Sequence, residues 1–212
     1  EFRRVLFRSL TSDLKLKLAV VPMKKLALGI LIAISIVLIA FAGLYVYAVY
    51  FYEHDPATQA YIDETDPVKK LALLEEILDE DDYSRWAWLD DAAELAFEIG
   101  DYGKAEKYAL ASLSLSSDYL NDWNYGNAIH NSNMVLGRLS LKDADKEQAK
   151  NYLLASAESK GSPQLDTFGP SLKLANELLL VGETEVVLSY LDSVSKFWEM
   201  DSGLVNRWIN QI

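Results

Sequence analysis

The sequence specifies an all-α chain, with one N-terminal transmembrane helix followed by a short stack of helical hairpins. Three observations lead there. Residues 26–52 run for 27 positions without a charge. Beyond them, apolar residues recur every three or four positions, the spacing of one helix face, and no stretch alternates as a half-buried strand does. The helical runs end on glycine or acidic turn signals that recur at related spacings.

The uncharged run follows Met23, Lys24 and Lys25. A bilayer core about 30 Å thick needs about 20 helical residues at ~1.5 Å each, so the run spans it with length left for tilt. It exceeds the roughly 7–15 apolar residues of a cleavable secretory signal. "AFAG" at 40–43 has the small-residue pattern of a cleavage site, but the apolar run continues past it through Leu44, Val46 and Val49, which favours an uncleaved signal anchor. A core helix in a domain of this size would keep one polar face, and this run has none. Lys24 and Lys25 flank one end and Glu53, His54 and Asp55 the other, so the positive-inside rule puts the N-terminus in the cytoplasm and the remainder outside. Tyr45, Tyr47, Tyr50, Phe51 and Tyr52 suit the outer membrane–water boundary.

Glu1–Ser9, "EFRRVLFRS", resembles the in-frame translation of a common sequencing adapter. The resemblance implies that 1–22 is artefact, upstream read-through or disordered remnant, and that Met23 is the natural start.

The first 52 residues hold seven of the 20 basic and two of the 32 acidic residues, so 53–212 carry 13 and 30, a net of −17. This charge disfavours nucleic acid and anionic lipid surfaces as partners. The chain has no cysteine, which excludes disulfides, thiolate metal sites and a cysteine nucleophile.

Residues 53–65 read as a polar stalk. Asp66-Pro67 is an N-cap followed by proline at the first helical position, with Val68, Leu71, Leu74, Ile77 and Leu78 in register behind it. A second helix starts near Ser84, carries Trp86, Leu89, Ala92, Ala93, Ala96, Phe97 and Ile99, and closes at Gly100. Asp101 opens a third with Ala105, Tyr108, Ala109, Ser112 and Leu113. After a connection over 116–127, the fourth spans about 128–141 and the fifth about 146–159. "GSPQLDTFGP" at 161–170 reads as a loop of breakers. Two helices flank Gly182, and Asp201 or Ser202 opens a last short one with Leu204, Val205, Trp208, Ile209 and Ile212.

Residues 89–113, "LDDAAELAFEIGDYGKAEKYALASL", resemble a tetratricopeptide repeat: small Ala93, the Gly100-Asp101-Tyr102 turn, small Ala105 and apolar Leu113. The frame recurs at Gly137 and Ala149, and more loosely at Ala175 and Val187 with Gly182 at the turn. Small residues at these places let two helices approach at the lower end of ~8–10 Å. The repeat spacings of 44 and 38 depart from the family's regular length, and Ala144 replaces the turn glycine of the second unit. The resemblance implies a tetratricopeptide-like α-solenoid of about three hairpins over 66–212, and an ordinary antiparallel bundle with incidental alanines is the competing reading. "WNYGNAIHNSNMVLGRLSL", "GSPQLDTFGPSLKLANELL" and "VVLSYLDSVSKFW" further resemble a family of small bacterial helical-repeat proteins, some membrane-anchored. That resemblance implies fold and bacterial origin and transfers no catalytic residue.

Sites for chemistry are sparse. There is no zinc-protease, nucleophile-elbow or phosphate-loop motif. "DEDD" at 79–82 and "DADKE" at 143–147 are similar in composition to calcium loops but lack glycine at the sixth position and glutamate at the twelfth. No metal and no cofactor are expected. His130, with Asn127 and Asn131 nearby, forms the one polar cluster on a helix that suits a ligand or an activated water. The commoner role of such residues is to bond buried backbone ends.

If the repeat frame holds, the inner helices present a groove. Counting from Ala93 places Asp90, Glu94 and Glu98 on it; from Gly137, Asn131, Met134, Arg138 and Lys142; from Ala175, Leu172 and Asn176. Such faces hold extended or helical segments of other proteins. The expected function is protein–protein interaction by a domain held outside the bacterial cytoplasmic membrane through 26–52, in a scaffold or assembly role. A ligand-binding protein or enzyme around His130 and Asn131 is the alternative.

Overall fold

The computed structural model describes residues 23–53 and 56–212, with side chains for 30–46 and 56–212. The readings placed on 1–22, and those on His54, Asp55 and the side chains of Lys24, Lys25, Tyr47, Tyr50, Phe51 and Tyr52, lie outside the described residues. All regular structure among the described residues is helical. The chain divides into two units, 1–55 and 56–212.

The first unit contains helix α1, Met23–Glu53, 31 residues long. Among the described residues no helix is long and apolar enough to cross a membrane. The uncharged run of the sequence is wider than the part of α1 with described side chains, reaching from Leu26 to Tyr52.

The second unit begins inside the expected stalk, where Pro56–Asp63 forms helix α2. Tyr61 of α2 packs edge-on against Trp88, ring centroids 5.5 Å apart, so this segment belongs to the packed body. Helix α3, Pro67–Leu78, starts as the Asp-Pro signal requires: the Asp66 carboxylate accepts from the amides of Val68 and Lys69. Helix α4, Asp82–Glu98, is capped by Asp81 rather than Ser84; the Asp81 carboxylate accepts from both the amide and the hydroxyl of Ser84. Helix α5 is Tyr102–Leu115, followed by a single 3-10 turn at Ser116–Asp118. Helix α6, Tyr125–Lys142, starts three residues earlier than periodicity suggests, and α7, Lys146–Ala155, stops sooner. Within the 161–170 loop lies a short helix α8, Pro163–Phe168, capped by Ser162. This is the serine-then-proline version of the start signal at Asp66-Pro67. Helices α9, Lys173–Leu180, α10, Thr184–Val194, and α11, Leu204–Gln211, complete the chain.

Helices α4, α6 and α9 lie side by side in sequence order, and each packs on its successor, α5, α7 or α10. The three connections share one hydrogen-bond pattern. In each, two amides return to carbonyls of the last helical turn: Asp101 to Ala96 and Gly100 to Phe97, Asp145 to Ser140 and Ala144 to Leu141, Glu183 to Leu178 and Gly182 to Leu179. This is the double back-bond of a left-handed C-terminal cap. Gly100, Ala144 and Gly182 adopt the left-handed backbone it needs, φ 85°, 63° and 89°. Asp101 and Asp145 then cap the next helix through the amides of Lys104 and Gln148.

The core has two parts that meet at α6. Val135 and Leu136 belong to the part built on α3, α4 and α5; Met134 belongs to the part with Ala149, Leu153, Leu174, Leu178, Val187 and Tyr190. Residues 132–137 are therefore buried on every side of the helix. Ala93, Ala105, Ala149, Ala175 and Val187 are all buried, with 3% or less exposed.

Candidate functional site

The face made by α4, α6 and α9 carries the residues that the repeat frame points to, and polar side chains stitch its three helices together. The amide of Asn131 on α6 donates to Asp90 Oδ2 on α4 at 2.9 Å. Arg138 on α6 pairs with Glu177 on α9 at 2.9 Å, and its guanidinium lies 4.2 Å from the centre of the Phe97 ring. Lys173, at the start of α9, reaches across to α4 and contacts Glu94 at 2.6 Å and Glu98 at 3.0 Å. Lys142 sits 4.5 Å from the Tyr102 ring centre. Asn176 is exposed and Leu172 half-buried at the α9 end. Met134 and Asp90 are the exceptions: Met134 lies in the core, 4% exposed, and Asp90 is 2% exposed, so neither presents a surface to a partner.

Charge is concentrated at the α4 end. Asp90 is 2% exposed, and its Oδ1 makes no hydrogen bond. Burial pushes its pKa up to about 6, against the opposing bond from Asn131. Asp91 is also held well above the ordinary carboxylate range by burial and by its neighbours Asp90 and Glu94, with Lys70 partly offsetting them. Burial beside these three carboxylates raises the Tyr61 hydroxyl to about 12. Burial opposes the charge of Lys173, but Glu94 and Glu98 outweigh it and raise its pKa. A lysine in the first turn of a helix opposes the helix dipole, and these two carboxylates compensate.

The residues around His130 diverge rather than converge. His130 is fully buried. Its Nε2 accepts from the Ser171 amide at 3.0 Å, which leaves Nδ1 to donate to the Ser156 carbonyl at 3.1 Å. Burial lowers its pKa to about 4, so the ring is neutral at pH 7. Asn127 turns the other way. Its amide donates to Asn124 at 2.7 Å and its oxygen accepts from the Ser162 hydroxyl. Asn124 reaches on to the Ala87 carbonyl at 3.1 Å. Asn131 is committed to Asp90. Among the described residues no group of three or more His, Asp or Glu side chains is arranged to hold a metal ion.

Sequence reasoning missed Lys173 and Glu177, which complete this face, and Asp91, which lies beside Asp90 and Glu94. Lys173 and Glu177 are four apart on one helix, like Glu94 and Glu98. Acidic and basic residues with matched helical spacing on two helices of one layer are the signal that could have found the Lys173 contact. In comparisons with protein-family models, curated proteins and solved structures, nothing matches this chain.

Proposed function

We propose that this protein is a single-pass signal-anchor protein of a bacterial cytoplasmic membrane whose tetratricopeptide-like domain captures a protein partner outside the cytoplasm. The reading of the anchor rests on the sequence: the uncharged run from Leu26 to Tyr52, with lysines before it and acidic residues after it. What supports the repeat reading is the turn that recurs at Gly100, Ala144 and Gly182 with the same pair of back-bonds. What carries the partner reading is the seam of carboxylates and paired cations that runs across α4, α6 and α9, built from rigid helices rather than loops. The partner segment is extended or helical, with basic groups that meet Glu94 and Glu98.

Crosslinking of the tagged chain in its host, followed by mass spectrometry, tests the partner reading. The double variant Glu94→Gln with Glu98→Gln should lose the captured partner while keeping its helical circular dichroism. An unchanged crosslinked set would overturn it. Topology is tested separately. Protease added to cells with opened outer layers should digest residues beyond 56, and protection until lysis would reverse the assignment.

A further inference from the structure

A concavity lies where α3, α4 and α5 meet. It is a cleft of about 460 Å³ lined by Glu75, Leu78, Asp79, Arg85, Leu89, Lys107, Tyr108 and Ala111, within the ~300–1,000 Å³ of small-molecule sites. Leu78, Leu89, Ala111 and Tyr108 supply the apolar part of a lining that is otherwise charged. Its rim holds four charged side chains whose partners are unequal. Glu75 Oε1 accepts from both Lys104 Nζ and the Tyr108 hydroxyl, each at 2.6 Å. Asp79 is 88% exposed and meets Arg85 only at 3.8 Å. Arg85 spends its Nε on the Leu78 carbonyl at 3.1 Å and leaves most of its guanidinium at the rim. Lys107 makes no ion pair among the described residues and lies 5.8 Å from the centre of the Tyr108 ring. Lys107 is exposed and brings a free ammonium to the rim of the cleft.

We propose that this cleft binds a small organic anion, a carboxylate or phosphate monoester with a compact apolar body. The anionic head meets Lys107 and Arg85, and the body lies on Leu89, Ala111 and the Tyr108 ring. Arg85 suits a planar two-oxygen head because its guanidinium presents paired donors. Glu75 is paired with Lys104, so its charge is offset within the fold and repels an anionic head less than a free carboxylate would. This site is independent of the partner face, and either reading can fail without the other.

The test uses the full chain in lipid nanodiscs and saturation-transfer NMR with four probes of one shape: benzoate, phenyl phosphate, benzyl alcohol and benzylamine. Benzoate or phenyl phosphate should give saturable transfer that mutual competition removes, and the stronger of the two identifies the head group. Lys107→Gln should weaken it by roughly tenfold, the effect of losing one charge-assisted contact of about 1.4 kcal/mol, with unchanged circular dichroism. Arg85→Gln should do the same, and Lys160→Gln, at an exposed lysine outside the cleft, should not. Equal transfer to benzylamine, anion binding that ignores Lys107→Gln, or no saturable anion binding would each overturn the proposal.

Discussion

His130 shows why a lone polar residue on an apolar helix face is more often a joint than a reagent. Its two ring nitrogens tie α6 to the end of α7 and to the loop before α9. The same loop residue, Ser171, also accepts from the buried Tyr190 hydroxyl at 3.1 Å. His130→Ala removes both bonds and opens a cavity, which should cost about 3 kcal/mol, read as a lower denaturant midpoint. The titration has a definite sign. The folded pKa, about 4, lies below the ordinary 6.5, so this residue's contribution is complete above 6.5 and is lost as pH falls towards 4. Asp90 acts the opposite way. Its folded pKa, about 6, exceeds the ordinary 3.8, so its contribution is complete below 3.8 and is lost as pH rises through 6. Asp91, Glu94, Tyr61 and Lys70 face the same place, and the first two add to the penalty at neutral pH. Asp90→Asn keeps an acceptor for Asn131 and removes the buried charge. It should stabilise the protein by roughly 1–3 kcal/mol at pH 7, with the gain fading towards pH 4. Urea unfolding at both pH values checks this, and a gain that does not depend on pH would contradict it.

At the scale of elements, the three hairpin turns offer an internal comparison. Ala144 takes the left-handed backbone that glycine takes in the other two, at φ 63°. That conformation costs an L-residue about 1–2 kcal/mol, and glycine's greater freedom in the unfolded chain returns about 0.5–1. Ala144→Gly should therefore stabilise by roughly 0.5–1 kcal/mol, visible as a raised thermal midpoint. Gly137 reverses the usual preference for alanine inside a helix. A Cβ there would overlap Leu174 Cδ2 and approach the Tyr152 Cβ to 3.1 Å, at the crossing of α6 with α7 and α9. Alanine's helical advantage of about 1 kcal/mol is smaller than the ~1–3 kcal/mol of overpacking. Gly137→Ala should lower the thermal midpoint, and an unchanged value would mean that these helices separate at little cost.

Across the whole molecule, the helical class was legible because it rests on local rules: apolar spacing, Asp-Pro and Gly-Asp punctuation, and paired small residues twelve apart that all proved buried. These are contacts within a helix or between sequential helices, which one chain segment encodes by itself. Helix α2 escaped notice because eight residues with one proline and scattered polarity carry little periodicity, and it is tertiary packing of Tyr61 on Trp88 that holds it. The candidate face was half legible. Helical spacing puts Asp90, Glu94, Glu98, Asn131 and Arg138 on one side of their helices, but it says nothing of what each side chain meets. Only the packed structure joined Lys173 to Glu94 across 79 positions of chain and sent Asn127, His130 and Asn131 to three separate partners. Short-range geometry repeats every few residues and can be read along a line. Which distant charges come within 3 Å depends on how whole helices cross, and that is settled by the summed packing of the core.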